Sequence, residues 1–190
     1  SGKANTDITQ FNSTDYRFAG VFDGMGYTIL QRKTNSTYGL FGSLHNGTIK
    51  NFALICEEIA VGRYVLAGFL YGTCRVENIY VKAERPGSQF GVFASTSGTA
   101  ENVIVEYDAG STACVFSSNL ATGGENTALI HCYAIGSLAK WLNTSDGNEK
   151  YPPHMYRNGG ELGADADAMN AIKAFGGYWS VDDDGIKMGG

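Results

Sequence analysis

The stretch from Tyr38 to Cys56, YGLFGSLHNGTIKNFALIC, returns further along the chain, and a recurring unit constrains a fold more tightly than any bulk property does. Setting Gly39-Leu40-Phe41 beside Gly68-Phe69-Leu70, Gly91-Val92-Phe93 and Cys114-Val115-Phe116 gives successive spacings of 29, 23 and 23 residues. A second half follows in step: Ile49-Lys50-Asn51, Val76-Glu77-Asn78, Ala100-Glu101-Asn102 and Leu129-Ile130-His131. An upstream copy, Gly20-Val21-Phe22 with Ile29, is placed 19 to 20 residues before Gly39 and Ile49. Five units therefore cover residues 18 to 136.

Within each unit the apolar residues alternate, as in Phe52, Leu54, Cys56, in Ile79, Val81, Ala83, and in Val103, Val105, Tyr107. A period of two is the mark of strands with one face buried. No unit has room for a helix of ordinary length. Short strands that recur with equivalent residues in register are predicted to stack coil on coil, each strand pairing with its counterpart in the next. The expected fold is thus all-β, a parallel β-helix (β-solenoid) of about five coils. Asn51, Asn78 and Asn102 would sit at the bends, where Asn tolerates left-handed backbone and stacked amides can bond one another along the axis.

Composition agrees. The chain has 26 glycines but three prolines in 190 residues, which suits many tight turns, and 43% hydrophobic with 17% charged residues is ordinary for a packed domain. The net charge is −5 with Lys and Arg scattered singly, so no basic stripe exists for a nucleic-acid backbone. No run approaches the ~18 apolar residues of a membrane span, so no membrane insertion is expected. Ser1-Gly2 reads as a cloning remnant, which leaves the destination of a larger parent protein open.

The segments GLFG and GTIKN, preceded by FAGVFDGMGYTI at residues 18 to 29, resemble the GLUG-type repeats (Gly-Leu-x-Gly) of bacterial cell-surface and secreted adhesin-like proteins. The resemblance spans about residues 18 to 136. It departs in the last unit, where Cys114 replaces the leading Gly, His131 replaces the ladder Asn and residues 119 to 127 are inserted. It implies a right-handed coil, an extracellular or cell-surface location, membership of a larger multidomain protein, and no single activity.

A solenoid needs its ends covered. Residues 1–17 are expected to serve as an N-terminal lead-in. Residues 137–190 are expected to form a C-terminal cap on the last coil, with a short helix carrying Ala168, Met169, Ile172 and Phe175 and two strands around Asp184-Gly185.

No catalytic residue, metal site or cofactor follows from the sequence. Cys56 and Cys132 fall on inward positions and read as small core residues, while Cys74 and Cys114 lie outside the alternation and leave a disulfide open. His45, His131 and His154 occupy unrelated positions. Glu77 and Glu101 match across adjacent units, as the paired carboxylates of a glycoside hydrolase would, but Lys50 holds the same position one unit earlier, which reads equally as a solvated face. The turns at Asp182 to Gly185 and Asn143 to Glu149 lack the ligand spacing of a calcium loop. Trp141, Tyr151, Tyr156 and Tyr178 gather where the repeat fails and offer flat rings for a ligand, or packing for the cap. The expected function is non-catalytic, adhesin-like binding of a glycan or host surface protein. The alternatives are a carbohydrate-active β-helix enzyme and a purely structural spacer.

Overall fold

A computed structural model describes residues 17–32, 39–57, 65–83, 93–95, 98–107, 114–117, 127–135, 140–142, 172–183 and 185–189. The first copy contributes β1 (Arg17–Phe18), β2 (Val21–Asp23) and β3 (Thr28–Gln31). The second gives β4 (Ser43–His45) and β5 (Thr48–Cys56), and the third β6 (Ala67–Tyr71) and β7 (Cys74–Ala83). Then come β8 (Phe93–Ser95), β9 (Gly98–Tyr107), β10 (Cys114–Ser117), β11 (Thr127–Ile130), β12 (Tyr133–Ile135) and β13 (Lys140–Leu142), and finally β14 (Trp179–Asp182) and β15 (Gly185–Met188).

Strands from successive copies build two parallel sheets, so the described chain is all-β. One sheet runs β1-β4-β6-β8-β10-β13 and the other β11-β9-β7-β5-β2, with β12 paired to β9 and β3 to β5. Leu44 and Leu70 from the first sheet and Ile49, Phe52, Leu54, Val76, Ile79, Val81, Val103 and Val105 from the second are buried in one core.

The long strands of the second sheet bend at their asparagines. Asn51, Asn78 and Asn102 have φ of 58°, 52° and 54°, and His131 takes 49° at the equivalent place. One left-handed residue shifts the alternation by one step, so that Ile49 and Phe52, three residues apart, are both fully buried. Asn is among the few side-chain-bearing residues that adopt this backbone readily. The expected register of this half is the observed one: Ile49 faces Val76, Val76 faces Ala100, and Ala100 faces Leu129.

The register of the other half needs correction. Ser43 faces Phe69, Leu44 faces Leu70 and Ala67 faces Phe93, so Gly39-Leu40-Phe41 and Gly68-Phe69-Leu70 are three residues out of step. It is Gly42 whose carbonyl accepts from Gly68 N–H at 2.6 Å. The corners differ in length as well: His45 faces Tyr71, yet Thr48 faces Arg75, so the third copy spends one more residue between the sheets and the two halves do not share one offset. Gly39 is required for another reason. Its φ is +76°, and a Cβ there would lie 2.8 Å from the Leu66 backbone and 2.9 Å from that of Val65.

The first copy is also shifted from expectation. Phe22 faces Ile49, and Ile29 faces Leu54 and not Ile49. Four residues, Gly24 to Tyr27, fill the bend where the next copy uses Asn51 and Phe52 alone, which hides the correspondence from a fixed-period comparison.

At the C-terminal end, a helical turn at 172–174 and the antiparallel pair β14-β15 are present, as the turn chemistry around Gly185 (φ 113°) suggests. They do not act as the expected cover over the last coil alone. Ile172, Trp179, Ile186 and Met188 pack on Ala53, Tyr80 and Ile104, the outward residues of β5, β7 and β9, with Ile55, Phe175, Tyr178 and Val181 at the margin. The segment therefore lies along the flank of the second sheet, because that column of outward residues is apolar and would otherwise face water. Phe175 also reaches His131, ring centroids 6.2 Å apart.

Candidate functional site

The bends of the second sheet carry a continuous chain of side-chain amides. Asn102 Nδ2 donates to Asn78 Oδ1 at 2.9 Å, Asn78 Nδ2 to Asn51 Oδ1 at 3.0 Å, and Asn51 Nδ2 to Asp23 Oδ1 at 3.0 Å. Every donor points toward the N-terminal copy. Asp23, an acceptor only when ionised, is the natural first rung, and it also accepts from Met25 N–H at 2.9 Å while Lys50 Nζ stands 3.5 Å from its other oxygen. Sequence reasoning found the three asparagines but missed Asp23, whose signal was the turn Asp23-Gly24-Met25-Gly26 placed where the other copies carry Asn. At the far end Asn102 Oδ1 is buried without a partner among the described residues.

The hydrogen bond from Asn51, then that from Met25, hold the Asp23 carboxyl below its ordinary value of 3.8, with Lys50 adding to them against a smaller opposing effect of desolvation. A folded-state pKa below the unfolded one contributes stability that is present above the unfolded value and is lost as pH falls through the folded value. Wild-type protein is therefore expected to lose thermal stability below about pH 4 more steeply than Asp23→Asn, whose amide has no such titration. Melting curves at neutral pH and near pH 2.5 for both proteins measure this; equal losses would remove Asp23 from the account.

The remaining sequence candidates separate. Glu77 and Glu101 do face one another across β7 and β9. Glu77, however, lies 3.3 Å from Arg75 Nη1, and the cross-strand ion pair of this column is Lys50 with Asp23, not Lys50 with Glu77. Trp141 lies in β13, at the end of the first sheet, whereas Tyr178 is half-buried in the cover over the second sheet. Tyr178 precedes β14 and is engaged in packing. Tyr151, Tyr156 and His154 lie outside the described residues, as do Ala168 and Met169. Asp182 pairs with Lys187 at 2.7 Å across the terminal hairpin. Among the described residues no three His, Cys, Asp or Glu side chains converge as metal ligands.

Cys56, Cys74 and Cys132 are buried thiols, and Cys74 is not in a disulfide. Their sulfurs face Gln31 Oε1, the Tyr71 carbonyl and the Ala100 carbonyl. Burial pushes the Cys56 thiol up to about 12, far from the thiolate that reactivity needs. All three are expected to resist an aromatic disulfide reagent in native protein and to react once urea unfolds it. Rapid modification of the native chain, mapped to any of the three, would contradict their placement.

One more surface is built at the corner between the sheets. His45 and Tyr71, register partners on β4 and β6, set their rings 4.7 Å apart at 41°, and Tyr71 is 43% exposed. Beside them Asn46 (φ 51°) accepts from Thr73 N–H at 2.9 Å and Thr73 Oγ1 at 3.2 Å. Gly72 closes the corner at φ +73°, where a Cβ would lie 2.1 Å from Asn46 Oδ1. Chemically this is a fixed aromatic step with amide and hydroxyl groups next to it in the chain. Comparison of the chain with known families, characterised proteins and solved structures finds no match.

Proposed function

We propose that the chain is a right-handed parallel β-solenoid module of a bacterial secreted or cell-surface protein, of the GLUG-repeat kind its motifs resemble, and that it works without catalysis as an adhesin-like, glycan-binding surface. The observation that carries this reading is the in-register amide ladder from Asp23 through Asn51 and Asn78 to Asn102, running along parallel strands of successive copies. Such a stack holds outward side chains at fixed steps of about 4.8 Å, and a rigid array binds a repeating polymer with little ordering cost.

A carbohydrate-active enzyme is the second reading, favoured by one observation, the facing of Glu77 and Glu101. Paired carboxylates hydrolyse glycosides when one donates a proton and the other attacks or activates water, and Glu77 is engaged with the Arg75 guanidinium at 3.3 Å. A glycan array probed with the 190-residue chain, followed by reducing-end and unsaturated-product assays on every bound glycan, distinguishes the readings. Binding without turnover is expected. Turnover abolished by Glu77→Gln or Glu101→Gln would establish the enzyme, and silence across all glycans would leave a spacer.

A further inference from the structure

We infer that the corner bearing His45, Asn46, Tyr71, Thr73 and Arg75 is the sugar-contacting site, taking a neutral pyranose chain with the apolar face of one ring on the His45 and Tyr71 step. This rests on the glycan reading above and assigns it to residues other than the aromatics that the sequence singles out.

A pyranose presents a flat C–H face and a rim of hydroxyls, each both donor and acceptor. It needs an aromatic surface with polar groups around it, the arrangement common to small-ligand sites in which a few placed polar groups fix orientation. Asn46, Tyr71, Thr73 and Arg75 are exposed and His45 is partly so. The Asn46 oxygen is occupied by Thr73 at 2.9 and 3.2 Å, which fixes the amide plane and leaves its Nδ2 edge as the donor side. Thr73 Oγ1 donates to Asn46 and keeps its lone pairs as acceptors. Arg75, 61% exposed, shares its charge with Glu77 at 3.3 Å and has further N–H groups to offer. That local neutralisation suits a neutral sugar better than a uronate.

The corner is held before any ligand arrives. Asn46 N–H donates to the Tyr71 carbonyl at 3.0 Å and Arg75 N–H to the Gly47 carbonyl at 3.0 Å, while Gly72 admits no side chain beside Asn46. Pre-organisation of this kind reduces the ordering cost of binding. A protein partner fits less well, because a stable protein interface covers roughly 800 Å² on each side around an apolar centre. Four of the five large hydrophobic residues exposed among the described residues, Val21, Met25, Tyr27 and Leu30, lie instead in the first copy. This supplies an internal control in Tyr27, a still more exposed ring outside the proposed site.

The test titrates the 190-residue chain with hexasaccharides of β-1,4-linked glucose, N-acetylglucosamine and mannose, and with hexagalacturonate, reading amide shifts by NMR and affinity by calorimetry. One neutral hexasaccharide is expected to bind and to shift the amides of residues 45–48 and 71–75. Tyr71→Ala is expected to weaken that affinity about tenfold or more, His45→Ala to weaken it less, and Tyr27→Ala to leave it unchanged. Melting curves confirm that each surface variant is folded. Binding that survives Tyr71→Ala and His45→Ala, with shifts elsewhere, overturns this site and leaves the glycan reading standing. Preference for hexagalacturonate overturns the neutral-sugar assignment. Failure of the wild-type chain to bind any of the four, together with a silent glycan array, overturns both.

Discussion

Phe52→Ala is expected to lower the free energy of unfolding by about 3–5 kcal/mol, a large part of the roughly 5–15 kcal/mol that holds a domain of this size together. Phe52 is fully buried at the point where β5 leaves its bend. Its ring meets Phe22 edge-on at 5.4 Å and Phe41 at 6.2 Å, and Phe41 in turn touches Phe18 at 5.7 Å and Phe22 at 5.2 Å. Truncation therefore removes apolar burial, leaves a cavity, and deletes an aromatic pair worth about 0.5–1.5 kcal/mol beyond its area. Collapse into the cavity is restricted, since Gly24 already packs so tightly that a Cβ there would lie 2.4 Å from Phe52 Cβ. Urea denaturation should show a lower midpoint with an unchanged slope. A loss under about 1 kcal/mol would mean that this ring is not the packing centre of the first two copies.

The second large effect is expected at the middle of the ladder. Asn78→Ala should cost about 3 kcal/mol, from two separable sources. Asn78 has φ of 52°, where Asn is tolerated and Ala strained by about 1 kcal/mol. Its amide also donates to Asn51 and accepts from Asn102, and removing it leaves two part-buried groups without partners at about 1 kcal/mol or more each. Asn78→Gly relieves the backbone strain and not the lost hydrogen bonds, so it should be more stable than Asn78→Ala by about 1 kcal/mol. Asn78→Asp can still accept from Asn102 but cannot donate to Asn51, and its loss should exceed that of a single hydrogen bond because two acceptors then face each other. Urea curves for the three variants separate these sources. If Ala, Gly and Asp are all tolerated within a few tenths of a kcal/mol, the amides are surface groups and not a ladder.

These two positions show why one half of each repeat was legible in the sequence and the other was not. In the second sheet the register is written three times over: an inward apolar residue, an outward one, a left-handed Asn, then another apolar alternation, as in Ile49 to Leu54 and Val76 to Val81. Few residue types satisfy a positive φ, so the asparagines mark their own position. The first sheet has short strands and no such marker. Gly-Leu-Phe at residue 39 and Gly-Phe-Leu at residue 68 look alike, yet the first glycine answers to the close passage of Val65 and Leu66 and the second stands opposite Gly42. Nothing in the short strands pins their register, and a corner one residue longer or shorter leaves no trace in composition.

Where the described part of the terminal segment packs was not legible for a related reason. The apolar residues Ile172, Trp179, Ile186 and Met188 announce that something will be covered, but not which surface. The surface it covers is the outward column Ala53, Tyr80 and Ile104, whose apolar character is spread over three separate copies. Asp23 carries no such mark because the first rung of the Asn ladder is a carboxylate and not an amide. The corner at His45 and Tyr71 was invisible in principle. Those residues are 26 positions apart and meet only because β4 and β6 are neighbours in a register the sequence misstates.

The central claim is that successive copies lie side by side as parallel strands with Asn51, Asn78 and Asn102 in one column. The most direct measurement is a set of inter-strand nuclear Overhauser contacts on isotopically labelled protein. The account predicts amide-to-α-proton contacts in parallel register that link Leu54 with Val81 and Val81 with Val105, together with contacts between the side-chain amides of Asn51 and Asn78. Strong contacts between facing α-protons along these segments, the signature of antiparallel pairing, would contradict it.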